Sequence, residues 1–419
     1  AAYYDRKLLP VNEGKVIFLG DSGVGKTHTI QRLRNLGAPG PYDTKSTPGI
    51  DISSFRCEDG TGIRFWDFGG QEIMRSMHRC FLTERTCYVV VVSNREAKSA
   101  MPQARRWLRT VAGYSDRVSV LLAVNQWNNV SEETNIDRRE LEELCPALAD
   151  VIYYSAQDDG QEAFNEKITE AVAREVRRLD SVRLELPESW AGILEALRNL
   201  DEPVISLARY QQICRDHGLD GEDKASEAIR MWLLEWFNDL GVCFSYHKSA
   251  ALTEPELADY KVLEPKWLTN GIYRIINNGK DLAGNGFISR EDLLRVLNDP
   301  DMLAVDGSIS YSPEERNYIL EVMRKFERAY PAEDGMEFIP ELLPGKRPQR
   351  PEPKGFDFVL TYAMELTFLP PGLVHRLMIG MSEQCDSVLW QSGLRLSDGV
   401  SSLLVEAKNS RTLQIDLYR

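Results

Sequence analysis

Apolar runs alternate with stretches of helical spacing through the first 180 residues. Lys15–Leu19, Tyr88–Ser93, Val118–Val124 and Val151–Tyr154 are nearly continuous apolar segments. Such runs mark strands buried on both faces of a parallel sheet. Between them, Thr27–Leu36, Met101–Val111 and Gln161–Arg178 repeat apolar residues every three or four positions, which predicts helices. Ile50–Glu58 and Ile63–Phe68, joined by Asp59-Gly60-Thr61-Gly62, predict a hairpin. Leu36-Gly37 and the Ala38-Pro39-Gly40-Pro41 stretch end the first helix and open a loop that runs to Gly49. The alternation predicts a doubly wound α/β domain over residues 14–179.

The pattern then changes. Ala191–Leu197, Ser206–His217, Lys224–Leu240 and Pro265–Ile276 carry helical spacing, and Val242–Tyr246 and Lys261–Leu263 predict short strands. Helices followed by a small strand pair form a winged-helix-like subdomain, bounded here at residues 186–344. Trp232, Trp236 and Phe237 are expected in its core, with Trp232 and Trp236 on one helix face. Ser289 caps a helix over Arg290–Leu297, and another helix follows Ser312-Pro313. Lys346–Lys354 is a Pro-rich linker. Beyond it, strand alternation in Phe356–Phe368 and Ser387–Tyr418, with a helix at Leu373–Met381, predicts an α+β subdomain over 355–419.

Composition narrows the chemistry. With 50 basic and 64 acidic residues among 419, the formal charge of −14 works against nucleic acid and anionic lipid as partners. The winged-helix-like region has no cationic face for DNA. Seven cysteines without metal-ligand spacing point to free thiols in a reducing compartment, so a cytoplasmic setting is expected. No apolar run approaches the ~20 residues of a membrane span. The chain starts at Ala1 and is expected to be a piece of something longer.

The chemistry concentrates at Gly20-Asp21-Ser22-Gly23-Val24-Gly25-Lys26-Thr27, which fits Gly-x-x-x-x-Gly-Lys-[Ser/Thr] between a strand and a helix. The backbone from Asp21 to Thr27 would cradle phosphates, Lys26 would neutralise the outer ones, and Thr27 would offer its hydroxyl to Mg2+. Asp67-Phe68-Gly69-Gly70 fits Asp-x-x-Gly, and Gln71 follows it. Asp67 would hold the metal and Gly70 would donate an N–H to the γ-phosphate. Thr47 would complete the metal shell, and Gln71 would orient an attacking water. Lys26, Thr47 and Gln71 are therefore the expected catalytic residues, and Thr27, Thr47 and Asp67 the expected metal ligands. Arg75, Arg79 and Arg95 are expected to include any arginine that supplies transition-state charge.

The base-recognition elements depart from the usual pattern. Asn125-Gln126-Trp127-Asn128 stands where Asn-Lys-x-Asp reads guanine, and Ser155-Ala156-Gln157 stands where Ser-Ala-Lys is usual. An amide at Asn128 accepts only one of the two hydrogen bonds a carboxylate takes from guanine, a loss of ~1–3 kcal/mol. Guanine preference then falls roughly ten- to hundredfold, and a base with a carbonyl in place of the amino group fits Asn128 better.

These segments resemble the Roc (Ras of complex) GTPase domain of the Roco family, together with Ser46–Asp51, Phe65–Glu72 and His78–Thr83. Leu186–Trp190, Leu263–Asn270 with Tyr273-Arg274, Phe338–Pro344 and Phe368–Gly372 resemble the COR (C-terminal of Roc) domain. No leucine-rich repeat period or kinase signature set accompanies them. The resemblance implies a doubly wound P-loop GTPase domain followed by a helical winged-helix-like subdomain and an α+β subdomain. It implies GTP/GDP and Mg2+ as cofactors, slow hydrolysis, and a homodimer formed through COR. Two readings stay open on the residues: a hydrolytic switch, or a nucleotide-binding scaffold with little turnover or altered base specificity.

Overall fold

The structure is a computed structural model. It describes residues 7–34, 49–69, 81–94, 100–113, 118–126, 136–245, 260–298, 310–348, 356–366, 369, 372–381, 386–409 and 412–419. The chain packs as two compact units, residues 1–269 and 270–419.

Apart from β1 (Leu8–Pro10), the first unit is built on a six-stranded sheet. Its strands are β2 (Glu13–Leu19), β3 (Ile50–Arg56), β4 (Gly62–Phe68), β5 (Cys87–Ser93), β6 (Ser119–Asn125) and β7 (Leu148–Tyr154). Their order is β3-β4-β2-β5-β6-β7, with β3 antiparallel to β4 and every other pair parallel. All seven residues of β5 are buried, as a central strand covered on both faces must be. The covering helices include α1 (Lys26–Leu33), α2 (Ala100–Ala112), α3 (Arg138–Leu144), α4 (Gln161–Phe164) and α5 (Glu170–Arg178). Asn165–Thr169 joins the last two as a π-helical turn, so the expected Gln161–Arg178 helix is helical throughout but not uniform. Val16, Phe18, Val89, Val91 and Leu121 pack with Ile30 and Leu33 of α1 and with Ile168, Val172 and Val176 near the end of the domain.

The sheet domain continues through α6 (Asp180–Arg183) into β8 (Glu185–Pro187), which pairs with β1. Then α7 (Glu188–Arg198), α8 (Leu207–Asp216) and α9 (Lys224–Asp239) close on a second core that includes Ile193, Leu197, Tyr210, Leu233 and Phe237. Trp236 lies in that helix's buried face, but Trp232 is 40% exposed and rests against Trp190, so only part of the expected tryptophan cluster is core. β9 (Val204–Ser206) pairs antiparallel with β10 (Tyr260–Val262), and Ser206 also caps α8. Of the expected strand over Val242–Tyr246, the described residues 242–245 carry a single bridge, Phe244 to Val262, and Tyr246 lies outside the described residues. Gly241, at φ +70°, turns the backbone just before Val242. α10 (Pro265–Asn278) follows.

In the second unit, β11 (Phe287–Ser289), β12 (Tyr330–Pro331) and β13 (Met336–Phe338) form a small antiparallel sheet with α11 (Arg290–Asn298) and α12 (Pro313–Lys325). Ser312 and Glu315 form a reciprocal capping box with Pro313 behind the cap, which fixes where α12 starts. A five-stranded antiparallel sheet runs in the order β14 (Phe358–Glu365), β18 (Thr412–Tyr418), β17 (Ser402–Ala407), β16 (Gly393–Ser397), β15 (Asp386–Trp390). α13 (Gly372–Met381) packs Val374 and Met378 on its inner face, where Phe338 and Leu343 join the same core. Among the described residues no helix is long and apolar enough to cross a membrane. Cys57, Cys87, Cys145, Cys214 and Cys243 are free thiols.

Candidate functional site

β2 delivers the chain to Gly20 at the sheet's C-terminal end. Gly20 has φ +151°, and a Cβ there would lie 2.3 Å from the Val91 carbonyl oxygen, so β5 leaves room only for glycine. Gly23, at φ +78°, faces open space with nothing within 4 Å of a Cβ position. The loop enters α1 at Gly25, whose carbonyl accepts the first helical bond from Thr29 at 2.9 Å. The first turn of a helix turned toward a glycine-rich loop is a site for an anion.

Lys26 is only 6% exposed, and its Nζ donates to the Gly20 and Asp21 carbonyls, both at 2.9 Å. The ammonium therefore folds back over the loop it follows. Thr27 Oγ1 donates to Asp67 Oδ2 at 2.5 Å, bringing together two expected metal ligands that are 40 residues apart. Asp67 is 3% exposed at the end of β4, in register with Phe18 of β2. A hydroxyl and a carboxylate held together beside a phosphate loop are the hard oxygen donors that Mg2+ takes. The residues present fit that ion.

The other loop residues take different parts. The Asp21 carboxylate turns toward α2, where Arg106 and the Trp107 indole donate to it, so Asp21 can meet a ligand only through its backbone. Val24 is buried in the sheet core, while Ser22 and Gly23 are exposed along the loop.

Asn125 joins the phosphate loop to the base-side loop. Its Nδ2 donates to the Val24 carbonyl at 2.9 Å, and its Oδ1 accepts from the Ala156 N–H at 3.0 Å. Ala156 thus commits its N–H to the scaffold. Gln126 follows Asn125 and donates its N–H to the Tyr154 carbonyl at 2.7 Å. Ser155 is fixed by Asp158 and Asp159, through Oγ at 2.8 Å and N–H at 2.7 Å respectively. Gln157 is half-buried, immediately after Ala156. The structure therefore assembles Asp21–Thr27, Asp67, Asn125, Gln126 and Ser155–Gln157 around one end of the sheet. Thr47, Gly70, Gln71, Arg75, Arg79, Arg95 and Asn128 lie outside the described residues.

Sequence reasoning did not pick out Arg32. It is fully buried in α1 and donates to the Ala156 carbonyl at 3.0 Å, with its guanidinium 4.1 Å from the Phe164 ring centroid. Thr29, one turn earlier, shares a hydrogen bond of 2.8 Å with Tyr154 Oη. The signal was an arginine placed between Ile30 and Leu33 on the core-facing stripe of an otherwise amphipathic helix.

Strand order, loop and helix define a P-loop nucleotide-binding domain. Residues 15–128 match the family model for "Ras of Complex, Roc, domain of DAPkinase", and 187–343 match "C-terminal of Roc, COR-A domain". The chain belongs to the Roco family, with a Roc domain followed by COR. It is similar over 82% of its length to Methanosarcina barkeri Roco2 RocCORdC, solved bound to GDP, at 29% identity and a TM-score of 0.68, covering 99% of that chain. It is 24% identical to a Roc-COR-CHAT protease from Runella zeae over 94% of this chain and 42% of that protein. It is also 22% identical to the probable serine/threonine-protein kinase pats1 of Dictyostelium discoideum, over 95% of this chain and 13% of the relative. The chain spans well under half the length of these two curated relatives.

Proposed function

We propose that this chain is a Mg2+-dependent molecular switch that binds guanine nucleotides and hydrolyses GTP slowly to GDP and phosphate. The observation that carries the reading is the convergence of Thr27 Oγ1 and Asp67 Oδ2, 2.5 Å apart, beside the Lys26-clasped loop. A P-loop that only filled a turn would have no reason to bury a carboxylate against this hydroxyl. The similar Roco2 structure bound to GDP supports a guanine nucleotide as ligand.

In this reading the backbone of Asp21–Thr27 binds the phosphates, and Lys26 turns its ammonium from loop carbonyls to phosphate oxygens. Thr27 and Asp67, with Thr47, would hold Mg2+, which when bound would supply positive charge to offset that of the phosphates. Gly70 donates to the γ-phosphate and Gln71 orients the water. Asn125 keeps Gln126 and Ser155–Gln157 in register with the phosphate loop, and Asn128 would read the base. Intrinsic turnover of such switches is slow, on the order of 10⁻⁴–10⁻³ s⁻¹.

The division into a Roc domain over 14–179, a COR subdomain over 186–344 and a second over 355–419 belongs to the same proposal, as does a cytoplasmic setting. So does homodimerisation through COR. Supporting it, the edge strand β14 leaves Phe358, Val359, Leu360 and Tyr362 about half exposed or more, an apolar edge that a second copy would cover. Leu360→Lys is expected to shift a dimer toward monomer in sedimentation, and an unchanged dimer would reject that edge.

Multiple-turnover phosphate release from GTP, with Mg2+ and with EDTA, tests the enzyme. Release above buffer that needs Mg2+ is the expected result. Tight GTP binding with no release would instead support a nucleotide-binding scaffold, the reading that Asn128 in place of the usual carboxylate favours.

A further inference from the structure

The first unit holds a cavity of about 310 Å³ whose described lining includes no residue of the phosphate loop or the base-side loop. Arg64 of β4 forms one wall, and the end of α7 with the turn into β9 forms another. Leu197, Leu200, Pro203, Val242 and Leu263 supply its apolar surface. The Pro203 carbonyl accepts from the N–H groups of Leu263 at 2.9 Å and Glu264 at 3.0 Å, which ties two of the lining segments together. The volume equals that of roughly ten waters and lies at the small end of the ~300–1,000 Å³ range of ligand sites. It suits a small metabolite.

Two guanidiniums share one carboxylate here. Arg198 donates to Glu13 at 2.5 Å and to Glu195 at 2.7 Å, while its Nε is sealed from solvent with no partner among the described residues. Arg64 is held more weakly: its contacts are the Gly241 carbonyl at 3.4 Å and Glu13 at 4.0 Å. A guanidinium carries five N–H donors, so most of those on Arg64 have no protein acceptor. Burial pulls its pKa below the ordinary value, and Glu13 offsets only part of that pull. A side chain only 21% exposed, with spare charged donors beside a cavity, is matched by an anion.

The same cavity carries the opposite charge. Asp201, Glu202 and Glu264 line it and are exposed. Glu202 pairs with Arg209 at 3.5 Å, whereas Asp201 and Glu264 have no ion pair among the described residues. These carboxylates repel a multiply charged anion such as phosphate and attract a cation. Complementarity therefore favours a ligand with one charge of each sign beside an apolar body.

We propose that this cavity binds a free aliphatic α-amino acid. The ligand's carboxylate accepts from the spare N–H groups of Arg64, its ammonium faces Asp201 and Glu264, and its side chain packs on Leu197, Leu200 and Val242. Binding here is independent of nucleotide hydrolysis, because no residue of the site belongs to the phosphate or base-side loops.

The test is titration calorimetry of the full chain with three probes: L-leucine, 4-methylpentanoate, which lacks the ammonium, and 3-methylbutylamine, which lacks the carboxylate. L-leucine is expected to bind with a Kd below about 1 mM. Each truncated probe should bind at least tenfold more weakly, the effect of losing one charge-assisted contact. Arg64→Gln should weaken L-leucine by roughly ten- to hundredfold with an unchanged far-ultraviolet dichroism spectrum. An L-leucine Kd above about 1 mM overturns the proposal. So does a truncated probe that binds as tightly as L-leucine, or a folded Arg64→Gln chain that binds it as the wild type does. If Arg64→Gln does not fold, the exposed pair Asp201→Asn with Glu264→Gln decides: weaker L-leucine binding supports the proposal, and unchanged binding overturns it.

Discussion

Two buried lysines mark the two sides of one sheet, and they are held in opposite ways. Lys26 begins α1 and donates to two carbonyls of its own loop, polar partners that an incoming phosphate can replace. Lys15, in β2, is 1% exposed and donates to Phe81 and Thr83 beneath the Trp66 and Phe244 rings. There, burial pushes the amine down to about 7, although Asp239 pulls it back up. The first lysine stands on a glycine-rich loop beside open space at Gly23. The second is sealed in an aromatic seam. The difference teaches that charge alone does not mark a ligand site; what matters is whether its partners can be exchanged.

Replacing each lysine tests that contrast. Lys26→Ala should weaken GDP binding by roughly hundredfold or more, since it removes a charged donor worth ~1.5–3 kcal/mol per bond to phosphate. Titration calorimetry would measure it, and a loss under threefold would place the phosphates elsewhere. Lys15 should act on stability instead. Its native value of about 7 lies below the 10.5 of a free amine, so between those values the unfolded chain binds the extra proton and stability rises with pH. Below about 7 both states are protonated and the dependence disappears. Between pH 7 and 9 the rise should be roughly 2 kcal/mol in urea unfolding. Lys15→Met should flatten it with little effect on nucleotide affinity; an unchanged slope would show that other groups set it.

The smallest expected effect concerns the base. Asn128→Asp restores the second acceptor and should raise preference for guanine over xanthine nucleotides by about tenfold or more, read from competition binding. An unchanged ratio would mean that other contacts select the base.

Much of the phosphate end was legible in the sequence because its constraints are local. Gly20 must be glycine against β5, Lys26 and Thr27 must follow the turn, and a buried strand must carry Asp67 back to them. The apolar runs located β2, β5, β6 and β7 to within a few residues. Asn125 fell just outside the expected strand, but the structure places it as that strand's last residue. The seam was not legible. Lys15, Trp66 and Phe244 lie far apart in sequence, and each alone fits an ordinary core or surface position. β9 escaped notice because Pro203 and Ser206 read as turn and cap, with only Val204 and Ile205 between them to suggest a strand. β14 was expected as a strand, but alternation gave no sign that both its faces would be exposed.

The central claim is that the site built by Lys26, Thr27 and Asp67 hydrolyses GTP with the help of Gln71. Single-turnover phosphate release from bound GTP, for the wild type and Gln71→Leu at saturating Mg2+, tests it most directly. The account predicts slow release by the wild type, at least tenfold slower release by Gln71→Leu, and equal GDP affinity. Equal release by the two proteins, or none by either, would contradict it.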